Sequence, residues 1–300
     1  MSSVFRVGLV VSVSALSGCL AGDERATPGL MTMTIEPSAA TTDGFDTSDG
    51  WHVKFDRFVA AAGDVSLETP RQESGARAEQ DSCVDYTDAH YDRLFDFVHA
   101  TRTELGLAFG LGACSAQYRL KSPSTDSLLE AGATEEDLTF MRVRATDDWA
   151  DEARVALWVK GSASKGDRTE RFEWMLRQGD RVWGCASASG AGDVDEITLE
   201  ADASFTLHAV VRGEELFRAA PDATAPLVFD PFASADADGD GAITLHELAG
   251  VPVSVDVPPI PAMPFGGAEV LAPKTLGDLV YDWQLRRVGG LSGSVDCSLR

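Results

Sequence analysis

The residues most able to do chemistry in this chain lie in one short run, Asp236 to Glu247. Asp236, Asp238 and Asp240 alternate, Gly241 follows, and Glu247 closes the run. Between them lie Ala242, with its backbone carbonyl, and Thr244, with its hydroxyl. Four carboxylates so close together repel one another unless a cation lies between them. Calcium accepts that many hard oxygens at a flexible coordination number. Gly241 stands where the chain must turn sharply, a conformation glycine adopts without steric penalty. Asp and Gly are also common in solvated turns, but three aspartates, a glycine and a glutamate in this register favour the ion.

The run resembles the calcium loop of the EF-hand family, D-x-[DN]-x-[DN]-G-x5-E, at every defined position. The resemblance implies Ca2+ held by Asp236, Asp238, Asp240, the Ala242 carbonyl, Thr244 and a bidentate Glu247. Before it, Phe229 to Ala235 allows a short helix with Asp230 as N-cap and Pro231 in the first turn. After it, a helix from Leu245 is stopped by Gly250 and Pro252. The chain has no second loop of this pattern and no Met-lined groove of the sensor type. A single clipped hand implies a structural site of the extracellular kind, with a dissociation constant of about 10⁻⁴ to 10⁻³ M.

The N-terminal segment reads as an address. Arg6 precedes the apolar stretch Val7 to Leu16, which is short for a membrane span and suits a secretory signal over residues 1–18. The sequence Leu16-Ser17-Gly18-Cys19 resembles the lipobox of bacterial lipoproteins. That resemblance implies a lipidated Cys19 and a mature protein attached by acyl chains to a bacterial membrane, in the cell envelope or on the outer surface. Residues 19–30 then form a tether. Four cysteines remain, Cys83, Cys114, Cys185 and Cys297. In an oxidising compartment they favour two disulfides, with three connectivities open. No C-x2-C pair points to a metal instead. A net charge of −23 excludes a nucleic-acid partner, since a polyanion would be repelled.

Hydrophobic periodicity expects a mainly β protein: an antiparallel, sandwich-like body with a few short helices, the EF-hand-like loop and a C-terminal helix. The body covers 31–228, with a possible sub-boundary near 121–150. Met31, Met33 and Ile35 alternate as an early strand. Trp51, Val53 and Phe55 alternate too, and Val65 and Leu67 follow a turn at Gly63-Asp64, which suggests a hairpin. Tyr91 to Val98 fits helix or strand, and Leu105 to Leu120 is extended. Short helices are expected over Thr125–Ala131 and from Thr134. A three-stranded meander follows, built on Ala153–Val159, Phe172–Leu176 and Val182–Cys185. A further pair spans Ile197–Leu199 and Phe205–Val211. The loop occupies 229–250. Residues 251–300 hold a Pro-rich stretch and a last helix opened by Thr275 and Asp278, with Leu276, Leu279, Val280 and Trp283 as its apolar stripe. Arg286 and Arg287 suit its C-terminal end, and Gly289-Gly290 stop it.

These features favour a non-enzymatic, envelope-anchored lipoprotein with one structural calcium site, acting in binding or surface architecture on a protein or glycan partner. No G-x-S-x-G, H-E-x-x-H, P-loop or C-x-x-C motif marks catalysis. The run Gly110 to Ser115 lacks the third glycine and the context of a dinucleotide turn. Two alternatives remain: a secreted hydrolase stabilised by calcium, and a transition-metal binder using His52, His90, His99, His208 or His246. No two of those histidines stand at i,i+2 or i,i+4, so only the fold could join them.

Overall fold

The computed structural model describes residues 26–70, 82–87, 91–142, 155–177, 179–189, 192–254 and 271–297. The lipobox Cys19, the signal segment, His90 and most of the Pro-rich stretch lie outside these residues. Strand β1 (Gly29–Pro37) buries Met31, Met33 and Ile35 and turns Leu30, Thr32 and Thr34 outward. After helix α1 (Ala39–Asp43), β2 (Phe45–Asp46) pairs antiparallel with β3 (His52–Glu68).

The two longest strands shape the molecule. Along β3 the core-facing residues change phase twice: Val53 and Phe55, then Phe58, Ala60 and Ala62, then Val65 and Leu67. Each change coincides with a register shift, between Phe55 and Arg57 and again between Gly63 and Ser66. An extra residue in one strand bends it and resets which side chains face inward. At the second shift Asp64 has φ of 53°. A side chain on Gly63 would lie 2.2 Å from the Tyr91 carbonyl, so only glycine fits there. The expected hairpin turn at Gly63-Asp64 is therefore a bulge inside one continuous strand.

Downstream come β4 (Cys83–Asp85), β5 (Asp92–Asp96) and β6 (Thr103–Lys121). Next are β7 (Leu128–Leu129), α2 (Glu135–Arg142), β8 (Leu157–Lys165) and β9 (Arg168–Leu176). The first half of β3 pairs with β8 and the second half with β6, so its bend helps to curl the one sheet. Short strands β10 (Asp180–Val182), β11 (Ala186–Ser187), β12 (Glu196–Leu199) and β13 (Ser204–Val211) follow. Then come α3 (Asp230–Ala233), β14 (Ala242–Ile243) and α4 (Leu245–Leu248). The main path runs β14-β9-β8-β3-β6-β1-β13 and ends on β15 (Gly289–Leu291). The fold is mainly β, a large curled sheet with a few short helices. Most pairings are antiparallel, and β1–β13, β5–β7 and β9–β14 are parallel.

Several local expectations give way to long-range pairing. Residues 125–131 form no helix: Leu128 and Leu129 lie beside Arg93 and Leu94 of β5. Val182 pairs with Tyr118 of β6 and not with β9, so the meander has two strands. β12 and β13 are not a hairpin, for β12 joins β6 while β13 runs parallel to β1. The terminal helix begins as expected with a Thr275–Asp278 capping box at α5 (Leu276–Asp278). It continues through a π-helical stretch, Leu279–Gln284, into α6 (Leu285–Val288). Arg287 does not cap it from solvent. It is buried, and its Nε donates to Glu215 Oε2 at 3.0 Å, beside Arg218 on the same carboxylate. β16 (Ser294–Asp296) closes on β11.

Two disulfides fasten these elements. Cys83–Cys114 ties β4 to β6, and Cys185–Cys297 ties the end of the chain to the segment before β11. The core between them is aromatic. Phe217, at the end of a 3₁₀ turn over Gly213–Phe217, is fully buried. Its ring lies 5.1 to 6.1 Å from those of Phe45, Phe55, Phe172, Trp174, Phe229 and Phe232. Truncating it would remove the hub of that cluster, and Phe217→Ala is expected to cost about 3–5 kcal/mol in urea unfolding. Glu214 beside it is largely buried, which raises its carboxyl above the ordinary range, although the Ser38 hydroxyl donates to it at 2.7 Å. A raised carboxylate pKa means the fold keeps a proton the unfolded chain has lost, so stability falls as pH rises through that window. Glu214→Gln should therefore match the parent in urea midpoint near pH 4 and exceed it near pH 7.

Candidate metal centre

The acidic loop is built by its own backbone. Asp236 Oδ1 accepts from the amides of Gly239 at 2.9 Å and Asp240 at 3.2 Å, and Oδ2 from Gly241 at 3.0 Å. Asp238 Oδ1 accepts from Asp240 N at 3.2 Å, and Asp240 Oδ1 from Ala242 N at 2.7 Å. Such local bonds are what short Asp side chains do in turns, and here they curl the run around one centre. One carboxylate oxygen from each of Asp236, Asp238 and Asp240 lies within 4.8 Å of the others. Gly239 and Gly241 make the curl possible, with φ of 75° and 74°.

Glu247 stands outside that trio. Its Oε2 accepts from Thr244 N and Thr244 Oγ1, both at 2.8 Å, while Thr244 Oγ1 accepts from Glu247 N at 3.3 Å. This reciprocal capping box starts α4, with Thr244 as N-cap. Glu247 Oε1 accepts from Ala237 N at 3.1 Å, which ties the end of the loop to its beginning. The amide donors, Thr244 first, hold the Glu247 carboxyl below its ordinary range. Of the six residues that the spacing singles out, three aspartates thus meet, Glu247 reaches the loop's first turn, and Thr244 serves as a cap. Ala242 lies in β14.

The sheet edge holds the loop by strand pairing. Ala242 and Ile243 run parallel to Arg171 and Phe172 of β9, a sheet edge in place of a second loop. Trp174 Nε1 donates to the Ile243 carbonyl at 3.0 Å, and Arg171 N to Gly241 O at 2.9 Å. Ile243 and Leu248 are buried on one flank, Phe229 and Phe232 on the other.

The incoming helix is capped from far away in the chain. Asp49 Oδ2 accepts from the amides of Phe229 at 2.8 Å and Asp230 at 2.7 Å. Asp230, the N-cap expected from the sequence, instead receives Trp51 Nε1 at 2.7 Å and Lys165 Nζ at 3.0 Å, and these donors lower its carboxyl pKa. At the other end of α3, Arg168 donates to Ala233 O at 2.9 Å and to Glu170 Oε1 at 2.6 Å. Sequence reasoning missed Asp49, Arg168 and Glu170. Asp49 and Arg168 reach α3 from far away along the chain, and Glu170 holds Arg168 from two residues on.

The described histidines do not converge. His52 bonds Asp46 at 2.8 Å, His208 bonds Thr34 at 2.8 Å, His99 lies 3.9 Å from Asp96, and His246 is exposed on α4. Among the described residues, the three aspartates are the one group of three or more His, Cys, Asp or Glu side chains close enough to share an ion. Comparison with protein-family models, curated proteins and solved structures gives no match for this chain.

The left-handed glycines provide a test of the loop's conformation. A Cβ at Gly241 would meet nothing closer than Glu170 Oε2 at 3.9 Å, so only backbone strain opposes a side chain there. Gly241→Ala should lower stability by about 1–2 kcal/mol, read as a lower urea midpoint with unchanged slope.

Proposed function

We propose that this protein is an envelope-anchored lipoprotein whose single EF-hand-type loop binds one Ca2+ as a structural clamp. The observation that carries the calcium reading is the approach of the Asp236, Asp238 and Asp240 oxygens to one another within 4.8 Å. Three hard anionic oxygens on one centre suit calcium and disfavour softer metals. In the bidentate role Glu247 would exchange its backbone donors for the ion, an exchange that keeps affinity modest. The clamp is structural because both flanks of the loop end in the aromatic core, so closing the loop fixes the docking of α3 and α4. A lipid anchor at Cys19 suits a chain whose disulfides belong to an oxidising space. Its role is binding or surface architecture on a protein or glycan, without catalysis.

Calorimetry should find one weak calcium site, abolished by Asp236→Ala and by Glu247→Gln. At calcium tenfold above the dissociation constant, stability should rise by about 1.4 kcal/mol and the melting temperature by about 3 °C. Equal melting with calcium and with EDTA would remove the structural role. Cys19→Ser should release the protein from the membrane fraction of expressing cells, and retention there would remove the anchor.

A further inference from the structure

Among the described residues, one stretch of the sheet's outer face is apolar, with Asp85 turned aside onto the amides of Leu67 and Thr87. Strands β4, β6 and β1, with Tyr86 just past the end of β4, turn Val84, Tyr86, Leu107, Phe109, Leu111 and Leu30 outward, side by side. The register places Leu30 opposite Phe109 and Val84 opposite Leu111, and Tyr86 N donates to the Phe109 carbonyl at 2.7 Å. Val84, Tyr86 and Phe109 are 41%, 41% and 39% exposed. Thr32, Ala113, Ser204 and Thr206 extend this row without charge, and charge resumes at Glu104, opposite Thr34, and at Glu196, opposite Ser115. On a chain with 48 acidic residues, a neutral apolar row of this width is a surface prepared for contact.

We infer that this face lies against the lipid surface to which Cys19 is tethered. The inference rests on the proposed anchor. Leu30, a member of the face, follows Cys19 by so few residues that the chain between them spans at most about 40 Å. The anchor thus delivers this end of the sheet to the bilayer. A second copy is the poorer occupant, because each copy brings a net charge of −23 to the contact, whereas zwitterionic headgroups bring none. Tyr86 offers the amphipathic ring that suits the headgroup boundary.

The test is hydroxyl-radical footprinting of the full acylated chain on phosphatidylcholine vesicles, with Phe140, packed on Trp158, as internal reference. Labelling of Tyr86 and Phe109 relative to Phe140 should fall about threefold on vesicles, as expected for an apolar face sunk into the interface. The Leu30→Asp, Val84→Asp double variant should still pellet with the vesicles yet lose that protection. If the acylated chain pellets but labels as it does in solution, the face proposal fails and the tether stands. If the chain carries no acyl group and does not pellet, both fall. If Cys19→Ser protein becomes protected without vesicles as its concentration rises, the face belongs to a second copy and the inference is overturned.

Discussion

The main core of this molecule is organised around the packing of rings on Phe217. The sheet contributes Phe55, Phe172 and Trp174, the segment before the acidic loop contributes Phe229 and Phe232, and Phe217 itself comes from the turn after β13. Aromatic side chains bury large areas and prefer tilted or edge-on contacts, so removing any one of these rings disturbs several elements together. The loop would be a solvated acidic turn without this cluster. With it, the two ends of the loop are anchored in the core, Phe229 and Phe232 before it and Ile243 and Leu248 after it.

The bend in β3 makes that convergence possible. Two bulges keep every core-facing residue of a long strand inside while the sheet turns a corner, at the cost of strict alternation. That is why Trp51, Val53 and Phe55 could be read correctly as one face and Val65 and Leu67 as another, while their connection was misjudged. A sequence pattern records alternation and glycine, and both a hairpin and a bulge use the same signs.

The same limit explains the other differences. Strands with local partners, such as β8 and β9, were legible because their hairpin turn sits between them. The partners of β10, β12 and β13 are β6 and β1, and nothing in a short window of sequence names a strand so far away. Helix starts with their own side-chain signals, Thr134 and Thr275, were also legible. Leu128 and Leu129 looked helical only because β5 was not yet there to pair with them. In the acidic loop, the contraction of Asp236, Asp238 and Asp240 follows from bonds within the run, so its geometry is local and readable. The capping of α3 by Asp49 and Arg168, and the support of the loop by Trp174, are not.

The order of strands also governs when the molecule can close. β1, at the start, lies between β6 and β13, and β13 in turn is edged by β15. Cys185 waits for a thiol 112 residues further on. A nascent chain therefore has no finished sheet to trap it, since its earliest strand gains one of its two neighbours only late in synthesis. Long-range pairings of this kind form slowly. Such delay leaves the early strands open to solvent until their distant partners arrive.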